Sequence, residues 1–379
     1  MVEITATLLN GSTFFTNESI ECLITLSCPA KPELEVAQGS SNSVESIAWV
    51  SAQIHCQCSI NEKLIEADKV LGNTKPVAGT SDTSFAPSNK DIGHTILNTK
   101  PKILICDLKL KPGERKSFSY KEAIPSNSPP SYRGSAVKYA YKITIGAQRV
   151  NQPTKLLKIP FRVLSLKDLP EGAACSESAE LTPNNPFLEG PKETPTEIAM
   201  ELLENITARR SPNFYNITNG NGKVVRFCLF KNNYKLGEDI VGTFDFSNSN
   251  VTCTQITVTL QSEEHIAEDY LKGKAAPAIN DSNKHSEVVL GYMHTYLNLP
   301  IPFHITPDFS TDLVTLKWRL HFEFVTSVKP LEFPTEETMS WQAPISLEVE
   351  PMTWDLPIHL YPTQIPPNIT PVVQNSDII

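Results

Sequence analysis

The chain has 379 residues, of which 40% are hydrophobic and 20% charged, and its mean hydropathy is −0.20. This composition excludes a chain that is disordered throughout, and the length is enough for two or three domains. Prolines number 30 against 16 glycines. So many prolines exclude a bundle of long helices but suit turns and the ends of strands.

Charge and sorting signals narrow the class further. Residues 1–164 carry 19 lysines and arginines against 14 acidic residues, whereas residues 165–379 carry 14 against 28, which gives net charges of +5 and −14. This asymmetry is too weak to predict binding of nucleic acid. The N-terminus lacks a signal-peptide pattern, no apolar stretch approaches about 20 residues, and eight cysteines fit a reducing compartment. We therefore expect a protein that is cytosolic or peripheral to a membrane.

Alternating hydrophobicity predicts antiparallel strands in the first part of the chain. Apolar residues recur at every second position over Ala48–Ile60, opposite a mostly polar set that includes His55. A second alternating run, Leu104–Leu110, leads into the turn Lys111–Glu114. These runs predict strands with one face in a core and the other in water.

Residues 165–213 are polar and contain several prolines, and we predict that they form a linker with one helix over 195–208. The sequence Thr194-Pro195-Thr196-Glu197 combines an N-cap residue, a proline at the first helical position and the glutamate of a capping box. Apolar residues then fall on one helical face, at Ile198, Ala199, Leu202, Leu203 and Ile206. This stripe predicts a helix that docks on another part of the molecule, with binding to a partner protein as the alternative.

Three sequence patterns occur twice in the same order, which predicts two copies of one β-lobe. The paired segments are Phe14–Glu18 with Tyr234–Glu238, Pro130–Tyr132 with Pro307–Phe309, and Ile159–Val163 with Leu356–Leu360. Short alternating strands separated by proline and glycine turns are typical of a sandwich of two sheets. Each copy is therefore expected to be a β-sandwich.

The predicted fold is all-β, with an N-terminal sandwich over 1–164, the linker, a C-terminal sandwich over 214–361 and a disordered tail over 362–379. The tail contains four prolines and few residues that could pack against a core. Long polar stretches at 61–100, 268–286 and 329–343 are expected to be mobile loops within the lobes.

Motifs that would carry chemistry are mostly missing. His55, Cys56 and Cys58 are close in sequence, but strand alternation places the histidine on the opposite face from both cysteines, which disfavours a metal site. No G-x-S-x-G or H-E-x-x-H pattern occurs. We therefore expect a protein that is not an enzyme, with no catalytic residue, no metal and no cofactor.

Two short motifs are possible ligands for other proteins. Pro129-Pro130-Ser131-Tyr132 matches the PPxY peptide that WW domains bind. The repeat places Phe309 at the position of Tyr132, however, which predicts that this tyrosine plugs a core. Asn185-Pro186-Phe187 in the linker is either a ligand for an adaptor protein or an ordinary turn.

Longer segments resemble the arrestin clan and, within it, the Rgp-one family, whose members are arrestin-like partner subunits of Ric–Rgp guanine-nucleotide exchange complexes. The resemblance covers both lobes but not the loops, much of the linker or the tail. The segments that carry it are Ala48-Trp49, Ser51–Gln57, Pro101–Leu104, Cys106–Leu108, Pro130–Gly134, Val137–Tyr139, Gln148–Asn151, Leu316–Phe324 and Trp354–Pro357.

This resemblance implies two arrestin-like sandwich lobes and a subunit without catalytic residues of its own. The implied partners are a large Ric-type exchange-factor subunit, built of β-propellers and a helical solenoid, and a Rab-six-type GTPase. The implied location is the cytoplasmic surface of the Golgi membrane, where such a complex supports retrograde transport from endosomes. The positively charged N-terminal lobe is compatible with a nearby anionic membrane surface.

Seven basic residues in or beside the predicted strands are candidates for contact with a partner: Arg133, Lys138, Lys142, Arg149, Lys317, Arg319 and His321. Such residues otherwise belong to a solvated strand face. The alternative function is an α-arrestin-like cargo or ubiquitin-ligase adaptor in vesicle sorting, which PPxY motifs in a flexible tail would favour. A sandwich hydrolase would need clustered carboxylates or metal ligands, which the sequence does not offer.

Overall fold

A computed structural model describes residues 2–29, 44–73, 80–81, 83–85, 93–166, 195–208, 212–331, 345–364 and 374–378. Four sheets account for most of these residues and form two lobes, so the all-β prediction is confirmed. No helix among the described residues is long and apolar enough to span a membrane.

The N-terminal lobe consists of a four-stranded and a seven-stranded sheet. Its strands are β1 (Glu3–Leu8), β2 (Thr13–Phe15), β3 (Ser19–Ser27), β4 (Glu45–Ile60), β5 (His94–Asn98), β6 (Lys102–Leu110), β7 (Arg115–Ala123), β8 (Tyr132–Arg133), β9 (Val137–Arg149) and β10 (Lys155–Leu164), joined by β21 (Gln374–Ile378) from the C-terminus. The strand orders are β21-β1-β3-β7 and β2-β10-β9-β4-β5, with β6 beside β4 and β8 beside β9.

The C-terminal lobe consists of a four-stranded and a six-stranded sheet. Its strands are β11 (Asn213–Asn219), β12 (Gly222–Leu229), β13 (Asn233–Lys235), β14 (Asp239–Asp245), β15 (Cys253–Ile266), β16 (Ala278–Val288), β17 (His294–Pro300), β18 (Phe309–Ser310), β19 (Val314–Ser327) and β20 (Val349–Tyr361). The strand orders are β11-β12-β14-β17 and β13-β20-β19-β15-β16, with β18 beside β19.

Strand alternation fills the space between the two sheets of each lobe. In the C-terminal lobe, Phe227 of one sheet packs against Phe322 of the other, with 5.0 Å between ring centroids. In the N-terminal lobe, Phe14 and Phe161 meet edge to face at 5.9 Å. All four rings are buried, and burial of their apolar surface stabilises each lobe.

The repeated sequence segments occupy equivalent places in the two lobes. In each lobe a short strand pairs in parallel with the last long strand, so that Phe14 lies opposite Val163 and Tyr234 lies opposite Leu360. These are the residues that the sequence repeat predicts to correspond. One topology is therefore used twice.

The turn before β3 and the turn before β14 have the same backbone conformation. Asn17 and Gly237 both have a left-handed conformation, with φ of 68° and 83°, which asparagine and glycine adopt more readily than other residues. The glutamates that follow, Glu18 and Glu238, each accept a hydrogen bond from the amide three residues earlier, at 2.7 and 2.9 Å. This geometry explains why the repeat has Asn or Gly followed by Glu.

The linker helix spans Pro195–Thr207, and its C-terminal half packs on the C-terminal lobe. Leu203 and Ile206 are buried there. Lys231 Nζ donates to the Thr207 carbonyl at 3.1 Å, and Asn233 Nδ2 donates to the Ile206 carbonyl at 3.3 Å. These bonds satisfy carbonyls that the end of a helix leaves without partners.

Two polar stretches that the sequence predicts as mobile loops contain regular structure. Residues 61–100 include a short helix, Ala67–Asn73, as well as β5, and residues 268–286 include a 3₁₀ turn, Glu268–Tyr270, and most of β16. The stretch 329–343 lies mostly outside the described residues. Pairing with a long neighbouring strand orders polar segments that have little apolar surface of their own.

The polar face of β4 is covered rather than solvated. Gln53 Nε2 donates to the carbonyls of Thr83 and Thr99 at 2.8 and 2.6 Å, and both Gln53 and His55 are buried. Phe85 lies over this face, with its ring centroid 6.1 Å from that of Trp49. The expectation of a half-buried strand is therefore wrong for this part of β4, because a segment distant in sequence folds over it.

The end of the chain differs from the sequence-based expectation of disorder over 362–379. Gln374–Ile378 forms β21, which pairs antiparallel with β1 and places Ser376 opposite Thr5. The strand contains little apolar surface, so composition gave no signal for it. Its order comes from backbone hydrogen bonding at the open edge of β1.

Candidate partner-binding surface

The four N-terminal candidates lie on β8 and β9 in different electrostatic settings. Arg133 and Lys138 are directly opposite each other and exposed, and neither forms an ion pair within the described residues. Lys142 Nζ donates to a glutamine oxygen of β4 at 3.0 Å, and Arg149 is paired with Glu45. Unpaired positive charge is therefore concentrated at Arg133 and Lys138.

The three C-terminal candidates lie on the outer face of β19: Lys317, Arg319 and His321. Arg319 forms ion pairs with Glu263 of β15 and with Asp355 of β20, the latter at 3.4 Å. His321 Nδ1 lies 2.6 Å from Asp355 Oδ1, and Lys317 is directly opposite Glu263. Arg319 is therefore paired with acidic residues of the neighbouring strands, whereas Lys317 forms no ion pair among the described residues. The seven candidates differ in their settings and do not form one basic surface.

Glu264, in β15, is a buried carboxylate that joins the two lobes. It is 1% exposed, and its oxygens accept hydrogen bonds from the Ser135 amide and hydroxyl at 2.7 and 2.6 Å and from the Ala136 amide at 3.1 Å. Gly134 makes room for the carboxylate, since a Cβ there would lie 2.4 Å from Oε1. Three donors compensate for the loss of hydration, so the carboxylate fixes the β8–β9 turn to the C-terminal lobe.

A second set of contacts brings equivalent turns of the two lobes together. Arg162 of β10 donates to the carbonyls of Phe303 and Ile305 at 2.6 and 2.5 Å, and burial lowers the pKa of its guanidinium. Tyr132 packs against Phe309 with ring centroids 4.9 Å apart. Because these two aromatic residues correspond in the sequence repeat, the same turn of each copy meets at the lobe interface.

A third contact uses the insertions that the sequence predicts as loops. Ile65 and Leu271 form an isolated antiparallel bridge between the lobes. The Glu66 amide donates to the Tyr270 carbonyl at 3.0 Å, and the Lys272 amide donates back to the N-terminal lobe at 2.9 Å. Backbone bonds, a buried carboxylate and a half-buried guanidinium together join the lobes at separate points.

The lobe junction also contains two cavities. The larger, of about 610 Å³, is polar and is lined by Arg133, Ser135, Asp281 and His304 among others. The smaller, of about 440 Å³, is more apolar and includes Phe309, Lys317, Ile358 and Tyr361 in its wall. Two candidate residues therefore reach the junction, one in each cavity.

The PPxY match is not available to a WW domain. Pro129, Pro130 and Tyr132 are buried, and burial raises the pKa of the Tyr132 hydroxyl. The prediction that Tyr132 is a buried plug is therefore confirmed, although the tyrosine fills the lobe interface rather than the centre of one sandwich. Asn185-Pro186-Phe187 lies outside the described residues.

The sequence places Glu264 on the inward face of a predicted strand, a feature that the selection of exposed basic residues did not consider. Glu264 shares strand parity with Val258 and Leu260, both buried in β15. An acidic residue on the inward face of a strand requires a partner. The role of Arg162 was not predictable in this way, because the alternation of β10 places it on the outer face, where a charged residue needs no partner.

Comparison with known proteins covers the region just described. The family model described as Rgp1 matches residues 78–168 and 169–327. The human protein named RAB6A-GEF complex partner protein 2 is 43% identical over 378 residues, which are 96% of this chain and 95% of that protein. The Bos taurus protein of the same name is 43% identical over 373 residues, 94% of this chain and 93% of its own length. The similarity therefore includes both lobes and the residues that join them.

Proposed function

Because the chain belongs to the Rgp1 family, we propose that it is a subunit of a guanine-nucleotide exchange complex that acts on a Rab6-type GTPase. The observation that carries the proposal is similarity over 96% of the chain to a human protein whose name places it in a RAB6A-GEF complex. Similarity of this extent includes both lobes and their interface, and so concerns the whole architecture rather than one motif.

The proposed role is that of a scaffold without catalytic residues. An exchange factor accelerates GDP release by binding the nucleotide-free GTPase more tightly than the loaded form, and linkage requires that this binding weaken the affinity for nucleotide. Such a mechanism needs surfaces held in a fixed arrangement rather than a reactive side chain. The contacts of Glu264 and Arg162 support this role, because they hold the faces of two lobes in one orientation.

The proposed partners are a large Ric-type subunit of β-propellers and a helical solenoid, and the GTPase itself. The proposed location is the cytoplasmic face of the Golgi membrane, in transport from endosomes. Arg133 and Lys138 support a position near an anionic surface, since both are exposed and exposed cations are attracted to acidic lipid headgroups.

Nucleotide exchange measured with each component separately tests the proposal. The GTPase is loaded with a fluorescent GDP analogue, and release is followed with this chain, with the large subunit, and with both together. We expect fast release only with both proteins, because each supplies part of the surface. Full activity of the large subunit alone would show that this chain is not required as a scaffold.

A further inference from the structure

The more apolar of the two junction cavities lies where the long strand β19 changes its neighbour. Trp318 is directly opposite Ile358 of β20, whereas Leu316 is directly opposite Phe309 of β18. Lys317 is therefore at the point where pairing with β20 ends and pairing with β18 begins. The cavity at this point has a volume of about 440 Å³, and its wall includes all five residues. Small-molecule sites typically measure about 300–1,000 Å³.

The inner part of the wall is apolar. Phe309, Leu316, Trp318 and Ile358 are all buried core residues. The one polar atom of the Trp318 ring, Nε1, donates to the Thr306 carbonyl at 3.0 Å, so the ring presents only carbon surface that has no need of a polar partner. A ligand that covers this wall must therefore have an apolar part.

Lys317 places a positive charge at the rim of the cavity. It is directly opposite Glu263, but both carboxylate oxygens of Glu263 have other partners. Oε1 is paired with Arg319, and Oε2 lies 3.2 Å from His265 Nε2. Lys317 is exposed and forms no ion pair among the described residues. An anionic group of a ligand can reach this ammonium without competing with a carboxylate of the protein.

The acidic residue in the cavity wall, Asp308, already has partners. Its Oδ2 accepts a hydrogen bond from the Leu360 amide at 2.5 Å and lies 4.0 Å from His359 Nδ1. His359 also lines the cavity, and its side chain is 62% exposed. A lysine and a histidine thus share the rim with a single carboxylate that a backbone amide holds. The charges at the rim therefore favour an anion.

The N-terminal lobe has the same change of neighbouring strand without the lysine. There the pairing of β9 passes from β10 to β8 at Ala140, which occupies the position of Lys317. Arg162 occupies the position of His359, as the parallel pairings of β2 and β13 show, and it is used to join the lobes. The strand change belongs to the shared fold, but the lysine at the rim does not.

We propose that this cavity, with Phe309, Trp318 and Ile358 in its wall and Lys317 at its rim, binds an amphipathic anion that consists of an acyl chain and one carboxylate or phosphate head group. The chain covers the apolar wall, and the head group pairs with Lys317. Such a ligand comes from solution as a fatty acid or from a membrane as an anionic lipid. The site is independent of the proposed function, since it requires neither the GTPase nor the large subunit.

The test measures binding of two probes to the full-length chain. Dodecanoate, kept below its micelle concentration, is titrated by calorimetry, and sedimentation with phosphatidate vesicles distinguishes the membrane source. Lys317→Gln removes the charge at the rim, and Ser310→Trp places a large side chain at an exposed position in the cavity wall. The matched control is Lys138→Gln, which removes an exposed lysine of β9 outside the cavity. Thermal unfolding without ligand shows whether each variant is folded.

We expect saturable binding of dodecanoate by the wild type and by Lys138→Gln. Lys317→Gln should bind about ten-fold more weakly, because one charge-assisted contact is lost, and Ser310→Trp should not bind. Dodecanol has the same chain without the charge, so it should bind more weakly than dodecanoate to the wild type and equally to the wild type and Lys317→Gln. Binding of vesicles but not of dodecanoate, with the same response to the substitutions, would support the site and identify the membrane as the source.

Three results would overturn the inference. The wild type could bind neither probe saturably. Lys317→Gln and Ser310→Trp could both bind like the wild type, which would place the ligand elsewhere. Dodecanol could bind the wild type as tightly as dodecanoate, which would show that the charge at the rim has no role. Lys317 is exposed, so its substitution should leave the fold intact and keep the test decisive even if Ser310→Trp does not fold. The proposed exchange function stands whichever result is obtained.

Discussion

The two lobes have the same core and differ at their surfaces. Both contain a short strand that pairs in parallel with the last long one, and both begin a strand after a left-handed residue followed by glutamate. Inward positions are held by packing, which tolerates few changes of volume or polarity. The shared features are those that bury residues or satisfy the backbone.

Differences between the lobes lie at the edge and on the outer face of the four-stranded sheets. The first strand position beside β1 is filled by β21, from the end of the chain, whereas the equivalent position beside β12 is filled by β11 through a tight hairpin. On the outer face, Ser119 of the N-terminal lobe stands at the position that Tyr296 occupies in the C-terminal lobe. A duplicated scaffold thus leaves its outer surfaces free to acquire different partners.

The largest expected effect comes from separating the lobes. Glu264→Ala removes the acceptor for three donors and leaves the buried amide of Ala136 without a partner, which costs about 3 kcal/mol. We expect the unfolding transition in calorimetry to move down and divide into two. The control is Glu263→Ala on the outer face, whose ion pair is worth less than about 1 kcal/mol. Equal effects of the two substitutions would contradict the role assigned to Glu264.

Alkaline pH distinguishes the two cores. Burial raises the pKa of Cys22 and Cys58 to about 12 in the N-terminal lobe and raises that of Cys56 as well, whereas in the C-terminal lobe it raises the pKa of Cys253 to about 12. Unfolded thiols lose their protons above about pH 9, whereas the buried thiols of the folded protein keep them. The stability that these buried thiols contribute is therefore fully present below about pH 9 and is lost as the pH rises toward 12. Each thiol contributes at most about 1.4 kcal/mol per pH unit.

The N-terminal lobe should therefore weaken first. Proteolysis at about pH 8 and about pH 10, with cleavage sites mapped by mass spectrometry, is expected to show new cleavage in that lobe at the higher pH. Cys58→Ala should reduce the pH dependence, whereas Cys106→Ala, at an exposed position, should leave it unchanged. First cleavage in the C-terminal lobe would mean that other groups dominate the alkaline response.

The turn shared by the lobes predicts a smaller, unequal effect. Gly237 has φ of 83°, and a Cβ there would lie 2.2 Å from the ring of Phe303, so Gly237→Ala adds strain and a clash worth about 2 kcal/mol. Asn17 already carries a Cβ at φ of 68°, and Asn17→Ala should cost about 1 kcal/mol. Urea unfolding measures both values. A larger loss at Asn17 would show that the two turns are not equivalent.

Features set by nearby residues were predictable from the sequence. The two lobes were visible because the turn around Asn17 and the turn around Gly237 repeat a local backbone requirement. The polar parity of Lys138 and Lys317 was visible from strand alternation. Sequence did not show that the charge of Arg319 is neutralised, because its partners Glu263 and Asp355 come from two other strands.

Features set by distant residues were not predictable. Coverage of the β4 face depends on a hydrogen bond from Gln53 to the carbonyl of Thr83. No sequence pattern around either residue predicts this contact. The pairing of β21 was not predictable either, because its partner strand β1 is at the other end of the chain. Hydrogen bonds along an open strand edge depend on the backbone rather than on side-chain type, so composition leaves no trace of them.

The smallest expected effect comes from removing β21 from the edge of β1. Removal of Gln374–Ile379 takes away the strand that pairs with β1 while leaving β12 paired with its hairpin partner β11. We expect faster amide exchange at Glu3–Leu8, measured by mass spectrometry, and a loss of about 1 kcal/mol in the N-terminal lobe, since each solvent-exposed edge bond adds little net stability. Exchange in Gly222–Leu229 serves as the internal control. Unchanged protection of β1 would show that its edge needs no cover, whereas faster exchange in both lobes would show that the tail stabilises the whole molecule.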